Sequence, residues 1–354
     1  MTSTHSTSDT TTGGSATPTR VGSPGELIRA VPYLLGFHPD PGSLVLVGLR
    51  AGRVIVSARV DLPDLAPATV GQVLVALRRG EADSYLGIVY TTPDAATTGA
   101  ATGSLPHADL ITALAALAGE HGPALADALL VAGGRFWSYL CDDPACCPPQ
   151  GRLVDPSTGA VEAQAVWAGI APLPDRAALA ATLDPVPAQV GPGLLAAAER
   201  DATDARTSTG GSARFARAAV RALYAAARTL AATADAGPSD AGLSDEVLSD
   251  EVVARLGVAL EVIGVRDAVW LAQDAGRLDG DQLWRQLAQR LPGEYAAAPL
   301  FLAGWTAWRA GDGALANIAA ERAVTVDPAY SAAQLLQTVL QEGIDPRRTP
   351  RLHR

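Results

Sequence analysis

The sequence predicts an α/β fold, a mixed sheet with helices, followed by an all-α C-terminal region that carries a tetratricopeptide-like helix pair. Three observations point there. Strand-like apolar runs alternate with helical patterns up to about residue 160. Beyond it the chain is alanine-rich and helical. Near the end, one window fits a 34-residue helix-pair template. The organisation that follows is a disordered tail over 1–22, an α/β domain with a cysteine-containing loop over 23–181 and a helical connector with a polar linker over 182–252. A helical, tetratricopeptide-like region over 253–346 and a tail over 347–354 complete it.

The first residues, MTSTHSTSDTTTGGSATPTR, are rich in Ser, Thr and Gly and lack the basic start and apolar stretch of a signal peptide. Order begins near Ser23. There a capping serine stands three residues before Glu26, and Pro32 predicts that the helix is short. SLVLVGLRAGRVIVSARVDL reads as a β-hairpin. Ser43 to Leu49 is almost continuously apolar, as in a strand covered on both faces. Val54, Val56, Ala58 and Val60 alternate with Ile55, Ser57, Arg59 and Asp61, as in a half-exposed strand, and Ala51-Gly52 makes the turn. A helix over about 67–79 follows, then a buried strand over 84–92, a Gly/Ala/Thr loop and a helix over about 106–120. ADALLVAGGRFWSYLC reads as strand, Gly133-Gly134 turn and returning strand, and GRLVD (151–155) as a further short strand.

The Pro/Gly-rich TLDPVPAQVGPG (182–193) marks a joint, and 194–232 a helix or helix pair broken near TSTGGS. The duplication LSDEVLSDEV (243–252) puts serine before two acids, which suits a helix N-terminus. Residues 266–276 and 279–291 read as a degenerate helical hairpin. In the better template window Gly304, Ala316, Ala323 and Pro328 fall on expected positions, and GDG (311–313) sits at the turn. A repeat so short must dock on neighbouring helices or on the α/β domain.

Composition narrows function. The chain has 354 residues, a net charge of −10 and 48% hydrophobic residues. The charge argues against nucleic acid or a membrane surface as the general partner. No apolar run is long enough to span a bilayer, and three cysteines are too few for a secreted disulfide scaffold, so a cytoplasmic protein is expected. All of the 27 basic residues are arginine, which excludes lysine-dependent phosphate loops, pyridoxal Schiff bases and kinase strand lysines.

The segments YLLGFHPDPGSLVLVGL, RVDLP and RFWSYLCDDPACCPPQGRLV, with the C-terminal pattern W-x-A-W-R-x-G-D-G-A, together resemble an uncharacterised actinobacterial family, domain of unknown function 4192. The resemblance covers about 23 to 346. It implies a cytoplasmic protein of a GC-rich bacterium and brings no established activity, cofactor or catalytic residue.

The candidate sites centre on SYLCDDPACCPPQG. Cys141, Cys146 and Cys147 give C-x4-C-C, with zinc as the cofactor such a set admits; Asp142, Asp143, His38, His107 or His121 would complete the shell. A redox switch needs a lowered thiol pKa, which Asp142 and Asp143 oppose. Against both stands simple packing of thiols in a proline-stiffened loop. Alternation puts Arg135, Trp137 and Tyr139 on one face and Phe136 on the other. With Asp142 and His38 the first three form the expected recognition surface. His38 near Asp40 invites an acid–base reading, but no partner motif accompanies it. GPGLLA (191–196) imitates a dinucleotide loop without a preceding strand. Arg214, Arg217, Arg221 and Arg228 share a helix face, expected to be solvated and paired with the acids at 235–251. The expected function is an interaction or regulatory protein that docks a protein partner on its C-terminal helices. The competing expectation is an enzyme or small-ligand binder with a pocket near His38, Arg59, Asp61 and the cysteine loop.

Overall fold

The computed structural model describes residues 22–62, 71, 74–75, 81–121, 123–155, 159–167, 171–235 and 248–352. The N-terminal tail expected over 1–22 lies outside them except for Gly22. The first helix, α1 (Pro24–Leu35), is capped as its sequence predicts. Ser23 Oγ accepts from Glu26 N at 3.3 Å, and the Glu26 carboxylate accepts from Gly22 N at 2.7 Å. Contrary to expectation, Pro32 does not shorten the helix, which runs for 12 residues. An internal proline costs about 3 kcal/mol. Burial of Leu27, Ile28, Val31 and Leu35 at about 1.5–3 kcal/mol each outweighs it.

Six strands follow: β1 (Ser43–Arg50), β2 (Arg53–Asp61), β3 (Ser84–Tyr90), β4 (Leu125–Ala132), β5 (Arg135–Ser138) and β6 (Arg152–Leu153). Their order in the sheet is β2-β1-β3-β4-β5-β6. Of the five strand pairings among the described residues only β3–β4 is parallel, so the chain between them must cross over the sheet. The crossover holds α2 (Pro93–Thr102) and α3 (Ala108–His121). α2 stands where composition predicts a loop. Proline opens it, Thr97 Oγ1 donates back to the Pro93 carbonyl at 2.9 Å, and Ala96 is buried, so packing overrides the weak propensity of its Gly and Thr. At the β1–β2 turn both Ala51 (φ 50°) and Gly52 (φ 71°) are left-handed, as a two-residue hairpin of this hand demands. The helix expected over 67–79 falls outside the described residues apart from Gly71, Leu74 and Val75, which are helical.

Strand alternation divides the core. Leu44, Leu46, Tyr85, Val89, Leu130 and Trp137 face Ile111, Leu114 and Ala118 of α3. Val45, Val47, Ile88, Leu129, Val131 and Phe136 face the other way, under α1, in a cluster that continues into the helical half. The opposed faces of Phe136 and Trp137 are those the alternation predicts.

The helical half contains α4 (Ala160–Trp167), α5 (Arg176–Ala181), α6 (Pro192–Thr207), α7 (Gly211–Asp235), α8 (Asp250–Leu260), α9 (Ile263–Asp274), α10 (Asp281–Arg290), α11 (Ala297–Ala310), α12 (Gly313–Val326) and α13 (Ser331–Gln341). The break near TSTGGS separates α6 from α7. Ser249, from the second LSDEV copy, caps α8 by accepting from Val252 N; the first copy, 243–247, lies outside the described residues. The joint after residue 182 is pinned to α10 through Val186 N to Gln289 O (3.0 Å) and Val190 N to Arg290 O (2.9 Å). Gly311 (φ 87°) ends α11, and Asp312 caps α12 by accepting from Leu315 N at 2.9 Å. At Gly304 a Cβ would lie 2.8 Å from Leu336 Cδ2 and 3.1 Å from Ala319 Cβ, so glycine permits the close approach of α11 to α12 and α13. Among the described residues no helix is long and apolar enough to cross a membrane.

Candidate functional site

The cysteine loop leaves β5 and returns at β6. Its anchors are the residues expected to line a recognition surface. Trp137 is buried, and its Nε1 donates to the Pro149 carbonyl at 2.9 Å. Tyr139 Oη donates to the Pro106 carbonyl at 2.5 Å, and an Arg135 guanidinium nitrogen to the Gly151 carbonyl at 3.0 Å. Gly151 (φ 73°) lies against the indole, where a Cβ would stand 2.5 Å from Trp137 Cε2. These side chains are spent on holding the loop, while Asp142 is exposed beyond them.

Within the loop the chain folds on itself. Asp143 O accepts from both Cys146 N (3.1 Å) and Cys147 N (2.7 Å), and Asp143 Oδ1 from Ala145 N (2.9 Å). This turn brings the adjacent pair back to Cys141, and the three Sγ atoms lie within 4.8 Å of one another. Cys146 is exposed, the other two are half-buried, and all three are free thiols. Among the described residues no histidine, aspartate or glutamate joins them at that distance, so neither His38, His107, Asp142 nor Asp143 completes a shell; the side chain of His121 lies outside the described residues. A hydrogen bond from Cys147 holds the Cys141 thiol below its usual pKa, despite the opposing charge of Asp143. Burial, with hydrogen bonds to Cys141 and Cys146, pushes Cys147 up to about 12.

A second polar cluster gathers at the far edge of the sheet. Arg59, with its side chain 9% exposed, forks onto Asp61 at 2.7 and 3.1 Å and donates to Ser43 Oγ at 3.1 Å. Asp40 stands 3.9 Å from it, and its guanidinium lies 5.9 Å from the Phe37 ring centroid. Asp40 is therefore turned to Arg59, while His38 is exposed and bonds through its main-chain N–H to Leu173 O at 2.9 Å. Strand order separates this cluster from the cysteine loop. β2 and β5 are four strands apart, about 19 Å at the usual spacing. A single pocket joining His38, Arg59, Asp61 and the cysteines is thus corrected by the topology.

The third site was not legible as a site in the sequence. Asp274, at the end of α9, is buried, and its carboxylate takes an Arg309 fork at 2.5 and 3.0 Å, Trp305 Nε1 at 2.7 Å and Leu352 N at 2.5 Å. Burial alone would raise its pKa, but the hydrogen bonds from Arg309, Leu352 and Trp305 hold it below the usual carboxylate value. The Arg309 guanidinium lies 4.8 Å from the Trp308 ring centroid and 5.5 Å from that of Trp305. Its remaining hydrogens bind the carbonyls of Pro346 (2.9 Å), Thr349 (2.9 Å) and Pro350 (3.1 Å), and Trp308 Nε1 binds that of Ile344 at 3.1 Å. The segment expected as a tail over 347–354 is therefore held against α9 and α11 as far as Leu352. The only sequence signal was the quoted pattern W-x-A-W-R, with its arginine beside two tryptophans.

On α7, Arg214, Arg217, Arg221 and Arg228 are all exposed, and Arg214 donates to Ser208 Oγ at 3.0 Å. Of their expected acidic partners Asp250 binds Arg290 instead, at 2.6 Å, and 236–247 lie outside the described residues.

No curated protein and no solved structure matches the chain. A protein-family model described as Domain of unknown function (DUF4192) matches residues 24–347. That span takes in the sheet, the cysteine loop and the helices that hold the tail, and the chain belongs to the DUF4192 family.

Proposed function

We propose that this chain is an interaction protein of the cytoplasm whose helical half docks a short segment of a protein partner against α9 and α11, in the place its own residues 344–352 occupy. The observation that carries this reading is how the groove holds residues 344–352. Arg309 and Trp308 bind four main-chain carbonyls, and Asp274 binds one main-chain amide. The segment follows a course of turns, and its Arg347, Arg348 and Arg351 side chains reach Ile55 O, Glu81 and Asp274 O, but the bonds from Arg309 and Trp308 fall on main-chain carbonyls, which any sequence supplies. The chain's own C-terminal segment then stands where a partner's would, and a partner gains access by displacing it. The α11–α12 pair, with the tetratricopeptide-like spacing of its sequence, is the scaffold that presents Trp305, Trp308 and Arg309. Three free thiols suit the reducing compartment.

The test uses a chain ending at Gly343 and a synthetic peptide of the sequence of residues 344–354. The truncated chain should stay folded and bind the peptide saturably by calorimetry, and Arg309→Lys should abolish binding by removing the fork while keeping the charge. A truncated chain that unfolds, or that folds and ignores the peptide, would make the segment an integral strap and end the docking reading.

A further inference from the structure

We propose that Cys141, Cys146 and Cys147 form a three-thiolate site for one zinc ion, with the fourth coordination position open to solvent. The proposal stands apart from the docking groove.

The sulfurs are already gathered. In a tetrahedral zinc shell with Zn–S near 2.3 Å, neighbouring sulfurs stand about 3.8 Å apart. The three Sγ atoms lie within 4.8 Å of one another, so the set closes with side-chain shifts of about 1 Å or less. Adjacent cysteines are poor co-ligands in an extended chain, where they point to opposite sides. Here the tight turn on Asp143 O changes that, because it bonds the amides of both Cys146 and Cys147 and turns both sulfurs toward Cys141.

Side chains of the sheet and prolines of the loop hold it in this form. Trp137 grips Pro149, Arg135 grips Gly151, and Pro144, Pro148 and Pro149 limit the backbone of the loop. Packing alone does not account for the cluster. Cys146 is exposed, as are its neighbours Asp142, Asp143, Pro144 and Ala145, so its thiol fills no core, and Cys141 and Cys147 are only half-buried. Three soft sulfur donors, joined at that distance by no carboxylate or imidazole among the described residues, select a thiophilic ion, and zinc accepts three protein ligands with a water in the fourth place. Binding converts three thiols to thiolates and releases three protons to the buffer. The product carries one net negative charge and an exchangeable water. The exposure of Cys146 leaves that water accessible to a small molecule or to a ligand from another protein.

The experiment takes full-length protein, reduced and stripped with a chelator, and titrates it with zinc alone against a colorimetric zinc competitor. Cadmium serves as a spectroscopic double. One zinc per chain, about three protons released, and a thiolate-to-cadmium charge-transfer band are expected. Cys141→Ser, Cys146→Ser and Cys147→Ser should each weaken zinc binding by about a hundredfold or more. The wild-type stoichiometry stands even if one variant misfolds. No zinc retained, binding unchanged by all three substitutions, or a disulfide among the three with no metal affinity would overturn the proposal.

Discussion

Residues 139–151 and 344–352 are both irregular, both rich in proline and both fastened to the body of the protein through main-chain carbonyls, but they differ in how much of the backbone is bound. The C-terminal segment surrenders its main chain. Four of its carbonyls and one amide are bound by side chains of α9 and α11, and its own Arg347 and Arg348 remain exposed. The cysteine loop folds its middle on itself, in the turn on Asp143, and gives up only its far end, where Trp137 and Arg135 bind the Pro149 and Gly151 carbonyls. Its side chains are released, and three of them are thiols brought together. The tail is held along its length by side chains of distant helices, while the middle of the cysteine loop is held by its own turn, which brings three thiols together.

The sharpest way to break this contrast is to remove the charge that fastens the C-terminal segment. Asp274→Ala leaves the half-buried Arg309 without its carboxylate and should cost about 3 kcal/mol, read as a fall in the urea midpoint. A loss below about 1 kcal/mol would mean that the ion pair does not hold the segment. Acid should do the same reversibly. The folded pKa of Asp274 lies below the unfolded one, so the stability it lends is complete above about pH 4 and is lost as pH falls through the lowered value. Tryptophan fluorescence of Trp305 and Trp308 should report release in that acid range and remain flat between neutrality and about pH 5.

Gly151→Ala acts on the other segment. It places a Cβ on a left-handed residue and against the Trp137 indole, and should cost about 2 kcal/mol while loosening the loop, seen as faster amide exchange over 141–151. Full protection after the substitution would show that the indole does not set the loop. The smallest effect belongs to Cys146→Ser in metal-free protein. The thiol is exposed, so the thermal midpoint should move by no more than about 0.5 kcal/mol in equivalent stability. A larger loss would place the thiol in the packing instead of the chemistry.

Most of the fold was legible because it is local. Alternation separated Phe136 from Trp137, Gly133-Gly134 and Ala51-Gly52 marked their turns, and TSTGGS broke α6 from α7. α1 and α2 were misjudged for one physical reason. Pro32 and the Gly/Thr content of 93–102 weaken helix propensity, while burial of Val31 and Ala96 against the sheet restores it. Half of the site could be read. The three cysteines announce themselves, but their convergence depends on a turn that the sequence only hints at through Asp143 and Pro144. The groove could not be read, because its components are distant. Asp274 precedes Arg309 by 35 positions and Leu352 by 78, and the segment they hold has no periodicity. Likewise the sheet order, which parts Arg59 from the cysteine loop, is a property of pairing that no single stretch encodes.

Docking on the helical half requires that the C-terminal segment can leave α9 and α11 while the rest of the chain stays folded. Native-state hydrogen exchange measures this directly, comparing the amide of Leu352, bonded to Asp274, with those in the middle of α11. Exchange at Leu352 through a local opening of lower free energy, with α11 still protected, is the predicted result. Exchange of both only through the same global unfolding would contradict the claim and make the segment part of the core.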